Sequence, residues 1–157
     1  MNLPQEVPIR CFAVSAVLIR HKDGAAQVLL LRRTGVRLGG EWCQIAGRIE
    51  TGETAWQAAL REIREETALV PHCLYSGDYC EQFYEADREC VSLVPVFVGV
   101  VDTDQTVVLN HEHSEYRWAT FHDADALLPF AGQRAMLKHV FREFVERRPP
   151  KWLLIAG

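Results

Sequence analysis

Residues Gly47–Leu69 read GRIETGETAWQAALREIREETAL. Gly47 to Gly52 is short and polar, which predicts a loop. Thr51 and Thr54 are candidate N-caps for a helix. Ala55 to Ala68 has helical character. On a wheel of about 100° per residue, Ala55, Trp56, Ala59, Leu60 and Ile63 share one arc, the expected core face. Gln57, Arg61 and Arg64 lie on the opposite arc and are expected to face water. Glu62, Glu65 and Glu66 occupy the flank at i, i+3 and i+4, so their carboxylates are expected to converge on one patch beside the buried face.

Helix physics resists this arrangement. The like-charge pair Glu62/Glu66 costs roughly 0.2–0.5 kcal/mol. All three acids lie in the C-terminal half, where the macrodipole disfavours anions by roughly 0.3–1 kcal/mol each. Pairing of Arg61 with Glu65 offsets part of this. Local rules broken without evident compensation mark candidate functional sites. Two readings stand: a solvated acidic face, or a site for a divalent cation. Three hard oxygen donors with no Cys or His among them suit Mg²⁺ or Mn²⁺ over zinc.

Outward from this segment, Cys11–Ile19 and Val28–Leu31 are apolar runs around His21-Lys22-Asp23-Gly24. The Asp-Gly pair predicts a hairpin. Thr34–Gly40 reads as a loop and Trp42–Ala46 as a short strand. Tyr79–Tyr84 and Val91–Val101 are predicted strands, and Pro95 places the second at an edge or a bulge. Thr106–Leu109 and Tyr116–Thr120 are further short strands. Gln133–Arg147 is a second helix, with Met136, Val140, Phe141, Phe144 and Val145 on one face. Strands interrupted by helices predict a mixed sheet covered by helices, an α/β or α+β sandwich.

The chain has 157 residues, 48% hydrophobic and 24% charged, which excludes disordered, collagen-like and disulfide-scaffold classes. One domain over residues 1–157 is expected. The net charge of −4 argues against binding nucleic acid by phosphate neutralisation. That charge is uneven. Residues 1–49 carry a net +4, residues 50–66 a net −3, residues 78–125 a net −9 and residues 126–157 a net +4. Five cysteines without a C-x-x-C pair make a disulfide framework or a structural zinc site improbable. Met1–Arg10 has no cationic leader character, and Cys11–Ile19 is too short to span a bilayer. A cytoplasmic protein without a membrane partner is expected. Oligomeric state is not legible, and a homodimer is compatible with the sequence.

The spacing Gly47, five residues, Glu53, seven residues, Arg61-Glu62-Ile63-Arg64-Glu65-Glu66-Thr67-Ala68-Leu69 resembles the Nudix box, G-x5-E-x7-R-E-U-x-E-E-x-G-U with U aliphatic. Gly47, Glu53, Arg61, Glu62, Glu65 and Glu66 match its fixed letters. Ile63 and Leu69 fill the aliphatic positions. The one departure is Ala68, where the family has glycine; it bears on the helix exit and not on the chemistry.

The resemblance implies an α/β/α sandwich around a mixed sheet, and hydrolysis of a nucleoside diphosphate linked to another moiety. It implies Glu62, Glu65 and Glu66 as metal ligands, one of which also takes a proton from the attacking water. Arg61 would orient the acids, Gly47 and Glu53 would support the loop or an outer metal, and the Ala46 carbonyl would be a further ligand. A polyphosphate and a glutamate patch repel each other without a cation. Mg²⁺, with Mn²⁺ as substitute, is the implied cofactor. Arg32, Arg33 and Arg37 are the candidates for holding phosphates, with plain surface arginines as the alternative. Gln44 joins them as a substrate-binding candidate.

Residues Asn110–Trp118 contain E-H-x-x-Y-x-W. This resembles dATP or dihydroneopterin-triphosphate pyrophosphohydrolases and also diadenosine tetraphosphate hydrolases. Glu112 is then the extra metal ligand or general base, with Glu115 as runner-up. His111 and His113 lack a third ligand of matching softness. Trp42–Gly47 resembles the triphosphate subgroup. Phe83, Tyr84 and Trp42 either stack a base or pterin ring or are core.

The reading is therefore a Mg²⁺-dependent pyrophosphohydrolase of a small-molecule nucleotide or pterin triphosphate, releasing pyrophosphate. A dinucleoside polyphosphate hydrolase is the alternative. A non-catalytic nucleotide-binding domain is a third reading, disfavoured because all the box acids are present and no DNA-binding or partner domain is attached.

Overall fold

The computed structural model describes residues 3–157; Met1 and Asn2, which begin the expected domain, lie outside the described residues. Asp23 and Gly24 adopt φ of 52° and 77°. Two consecutive positive φ values make the tight turn whose twist suits a hairpin. It joins β2 (Ala13–Lys22) to β3 (Ala25–Arg33) in antiparallel register, Ile19 opposite Val28.

β2 organises the sheet. Its second half pairs with β3, and its first half pairs with β5 (Ile45–Arg48). Its other edge runs parallel to β7 (Cys90–Val100). β1 (Ile9–Arg10) extends the parallel pairing on β7. β6 (Cys73–Glu85) and β9 (Leu154–Ala156) follow outward beyond β7. β4 (Trp42–Cys43) and β8 (His113–Thr120) pair with β3. The sheet is therefore mixed.

Both faces of β2 are buried, as a central strand requires. Val14, Ala16 and Leu18 join Leu29, Leu31 and Ile45 under α1 (Ala55–Thr67). Val17 and Ile19 join Val28, Leu30 and Val98 under α2 (Phe121–Leu127) and α3 (Ala131–Val140). The result is an α/β/α sandwich. No helix among the described residues is long and apolar enough to cross a membrane.

Several expectations need correction. Pro95 is not on an edge strand, because β7 has neighbours on both sides. It pairs with Cys80, where the β6 register shifts, so the bulge reading holds. On its other side, pairing with β1 ends at Ser92 and pairing with β2 begins at Val96. Proline occupies a gap in the ladder, where an absent N–H costs least. Thr106–Leu109 is not a strand. The Val108 N–H donates to the Thr67 carbonyl at 2.9 Å, which ties this segment to the end of α1 and not to the sheet. α2 is not among the expected elements; seven residues are too few to show a period, although the Thr120 side chain caps it by accepting from the Asp123 N–H. The last helix starts at Ala131, and from Phe141 to Glu146 its backbone widens into a π turn.

α1 starts where the sequence places it. Thr54 is the N-cap and forms a capping box with Gln57. Ala59 and Ile63 are buried, Trp56 and Leu60 half-buried, and Glu66 and Thr67 are buried as well. The helix ends at Ala68 in the left-handed conformation, φ 59°, its N–H bonded to the Arg64 carbonyl at 2.9 Å. A non-glycine residue is strained there. Ala68→Gly is expected to raise stability by up to about 1 kcal/mol, the left-handed penalty of roughly 1–2 kcal/mol less the extra entropy glycine loses, read as a higher urea midpoint at unchanged slope. A lower midpoint would refute the strain argument.

Candidate active site

Gly47 lies on β5 opposite Val14 of β2. A Cβ on residue 47 would stand where the Glu62 carboxylate lies. Only glycine lets α1 seat that carboxylate against the strand.

Arg61 binds the box together. Its Nη1 donates to Glu62 Oε1 at 2.7 Å and to Glu65 Oε2 at 3.2 Å. Nη2 donates to Glu53 Oε1 and to the Arg48 carbonyl, each at 2.7 Å. Glu50 lies at 3.8 Å. The side chain is only 21% exposed, so the expectation that Arg61 faces water is wrong. The wheel gives its direction correctly. What it omits is the 47–54 loop, which folds over that arc and supplies acceptors. The Glu53 carboxylate also accepts from the Glu50 N–H at 2.7 Å. Arg61 first, then that N–H, holds Glu53 below the usual carboxylate range, and Glu53 in turn pushes Arg61 up.

Glu66 has the opposite environment. It is 2% exposed, and its Oε2 has no hydrogen-bond partner among the described residues. Burial, then the charges of Glu62 and Glu112, push its carboxyl up to about 9, against a weaker opposing effect of Arg33. Burial also raises Glu62, outweighing the Arg61 hydrogen bond. His113 Nε2 stands 3.9 Å from Glu66 Oε2. Burial holds the His113 pKa below its ordinary value, so at neutral pH it is not a counter-cation.

Glu112 is exposed on the loop before β8. Thr34 pins that loop: its N–H donates to the Glu112 carbonyl and its hydroxyl to the His111 carbonyl, both at 2.9 Å. Glu115 is taken by Arg32 at 3.3 Å and by Arg117 at 3.9 Å. Glu112, and not the runner-up Glu115, therefore acts on Glu62 and Glu66. His111 is exposed while His113 is buried, and the two share no site.

The glutamates share a face but do not converge. Among the described residues, no group of three or more His, Cys, Asp or Glu side chains is gathered as a ready-made cation site. Like charges separate when nothing lies between them, and Arg61 draws Glu62 and Glu65 to its side.

The three arginines do not form one cluster. Arg33 acts on Glu66, whereas Arg32 also donates to the Gly40 carbonyl at 2.9 Å. Arg37 pairs with Asp87 at 3.2 Å, well exposed. Ala46 is exposed beside Gly47, and Gln44 is buried. Trp42 is buried beneath the Arg117 guanidinium, with its ring 5.0 Å away. Phe83 and Tyr84 are half-exposed, not core. A groove of about 500 Å³ along α1 is lined by Glu65 but by none of Glu53, Glu62, Glu66 or Glu112. Sequence reasoning missed His113 as the neighbour of Glu66. It also missed Ser15, Glu81 and Gln133, which bond Gln44 or one another; a lone acid inside an expected strand was the one signal for Glu81.

Residues 10–144 match the NUDIX domain family. The chain is 38% identical over 128 residues to an octanoyltransferase of Myxococcus xanthus, covering 80% of this chain and 35% of that protein. It thus spans about a third of that relative's length. It is 29% identical over 128 residues to the asymmetrical bis(5'-nucleosyl)-tetraphosphatase of Caenorhabditis elegans, covering 80% of this chain and 91% of that protein. The crystal structure of a C. elegans Ap4A hydrolase binary complex is similar with a TM-score of 0.73 at 26% identity, covering 85% of this chain and 96% of that one.

Glu66 holds its proton more tightly in the folded chain than in the unfolded one, where the ordinary value is 4.5. Its contribution is therefore full below that value and is lost as pH rises towards about 9. In chelator, stability is expected to decline across that window in the wild type and to decline less in Glu66→Gln. Urea unfolding at several pH values tests this, since contributions from the other acids are common to both proteins. Equal declines would refute it.

Proposed function

This chain belongs to the Nudix family, whose hydrolases act on phosphate-containing substrates, and from that premise we propose that it is a Mg²⁺-dependent pyrophosphohydrolase. The substrate is a (deoxy)nucleoside triphosphate or a pterin triphosphate, cleaved by water at a phosphoanhydride with release of pyrophosphate. The working unit is a single Nudix domain, which the match over residues 10–144 supports.

One observation carries the reading. Among the described residues a buried carboxyl oxygen of Glu66 has no hydrogen-bond partner, and the nearby charges of Glu62 and Glu112 penalise its ionisation further. A buried carboxyl so costly to ionise unaided, beside two further acids, suits a cation that would compensate its charge. Glu62, Glu65, Glu66, Glu112 and the Ala46 carbonyl offer only hard oxygens, which fits Mg²⁺. When bound, the cation would neutralise phosphate oxygens and acidify a water.

The chain's own groups do the rest. Gly47 and Arg61 fix the Glu62 carboxylate. Glu112, a solvent-facing acid whose charge acts on both Glu62 and Glu66, accepts the water's proton. Arg33 meets phosphate next to Glu66. Arg32 and Arg37 reach phosphate by giving up Glu115 and Asp87. Exposed pairs of this kind are worth only about 0–1 kcal/mol, so the exchange is easy.

A second reading, hydrolysis of a dinucleoside polyphosphate, is favoured by the likeness to the C. elegans tetraphosphatase across 91% of that protein. It uses the same site and differs in product. Glu62→Gln and Glu66→Gln are expected to lower kcat by roughly two to four orders of magnitude with far-UV dichroism unchanged. Unchanged turnover in both would sink the hydrolase reading. Product analysis with Mg²⁺ separates the substrates: pyrophosphate from triphosphates supports the first, and nucleotides from diadenosine tetraphosphate without any pyrophosphate from triphosphates supports the second.

A further inference from the structure

A second polar cluster lies on the sheet face that carries α3, one strand away from the box. Gln44 is 5% exposed. Its Nε2 donates to Ser15 Oγ at 3.1 Å and to Glu81 Oε1 at 2.8 Å. Its Oε1 accepts from Gln133 Nε2 at 3.2 Å. The Ser15 hydroxyl, close by, favours the ionised form of Glu81 against the effect of burial. Ser15 is in register with Ala46 on one side and Val96 on the other, and Glu81 is in register with Val94. The strand order thus brings β5, β2 and β6 side chains to one floor across β7.

Packing gives no reason for this cluster. A buried amide and carboxyl are costly to desolvate, and apolar residues of similar volume serve a core at least as well. The cluster is not sealed. Glu81 is partly exposed, Ala46 is exposed, and Phe83 stands two residues along the same strand face, 47% exposed. A carboxylate therefore opens onto a floor with a flat aromatic surface beside it.

We propose that Glu81, oriented by Gln44 and Ser15, reads the substrate ring by an edge that presents two adjacent N–H donors. That edge is the 2-amino-4-oxopyrimidine edge shared by guanine and pterins. The proposal deepens the hydrolase reading and rests on it for the polyphosphate's place beside Ala46. Gln44 donates to Glu81 and the Ser15 hydroxyl favours its ionised form, which keeps the carboxylate oxygens as acceptors. An acceptor pair matches N–H and NH₂ side by side. Adenine offers one donor and one ring acceptor, and the acceptor would face a carboxylate oxygen. Phe83 supplies the stacking surface. Burial pushes Glu81 up to about 7, and two ring donors would add to the forces that favour its ionised form.

The test compares kcat/KM for dGTP, dITP (which lacks the 2-amino group), dATP and 7,8-dihydroneopterin triphosphate in the wild type and in Glu81→Gln. The wild type is expected to prefer dGTP over dITP by roughly 5- to 150-fold, and the variant to bring that ratio near one. The ratio is taken within one protein, so a reduced folded fraction cancels. The pterin substrate against dGTP tells which source of the edge is used. Equal use of dGTP and dITP by the wild type, a preference for dATP, or an unchanged ratio in the variant would overturn the proposal. If no triphosphate is cleaved, the parent reading fails separately. NMR titrations with guanosine and inosine then decide: tighter guanosine supports the ring reader, and equal affinity overturns it.

Discussion

Arg61 contacts Glu53, Glu62, Glu65 and the Arg48 carbonyl with one guanidinium. The rest of the site depends on this. The loop that leaves β5 has one apolar anchor, Ile49, packed against the core, and its remaining residues are polar or glycine. Arg61 holds it electrostatically, and the same contacts fix where Glu62 points. Lysine has no planar fork and could not serve loop and helix at once. Gly47 completes the arrangement from the strand side, because the absent Cβ leaves the space that Glu62 fills.

The cost of the acidic helix is not where helix rules alone put it. Like-charge spacing and the macrodipole each amount to roughly a kcal/mol or less per acid. The larger penalty sits on Glu66, which loses water, gains no hydrogen bond on one oxygen and faces two other acids. Glu53 shows the reverse. It is as anionic as its neighbours, yet it is well compensated and belongs to the scaffold. The four box glutamates thus divide by environment: Glu53 is satisfied, Glu62 is held by Arg61 but partly buried, Glu65 is exposed, and Glu66 is buried with only the weaker effect of Arg33 to offset its penalty.

Local features were legible in the sequence. The Thr54 cap, the β2–β3 turn and the α1 core face depend on residues within a few positions of one another. Non-local features were not. Whether β7 is an edge depends on what pairs with it, so Pro95 alone could not say. Thr106–Leu109 has strand-like composition, but Val108 finds its partner on α1. The wheel gives Arg61 the right direction on the helix and the wrong surroundings, since the loop that covers it is absent from any wheel. The identity of the candidate glutamates was legible from spacing. The preference for Glu112 over Glu115 came from the E-H-x-x-Y-x-W resemblance; what spacing could not show is that Arg32 stands opposite Glu115 across a strand pair. Gln44 was named in the sequence, but its network runs from the link between β4 and β5 to Ser15 on β2, Glu81 on β6 and Gln133 on α3.

One rung of the sheet links the two polar regions. Ser15 is in register with Ala46 on β5 and with Val96 on β7. Neighbouring strands stand about 4.8 Å apart, and side chains cannot change that spacing. The distance from the start of the box to Glu81 is therefore set by backbone ladders, as in a pair of calipers. A molecule gripped at both ends would be gauged by length as well as by chemistry. A one-residue slip of β2 would break the gauge at once, turning Ser15 to the helix side and Ala16 to the floor.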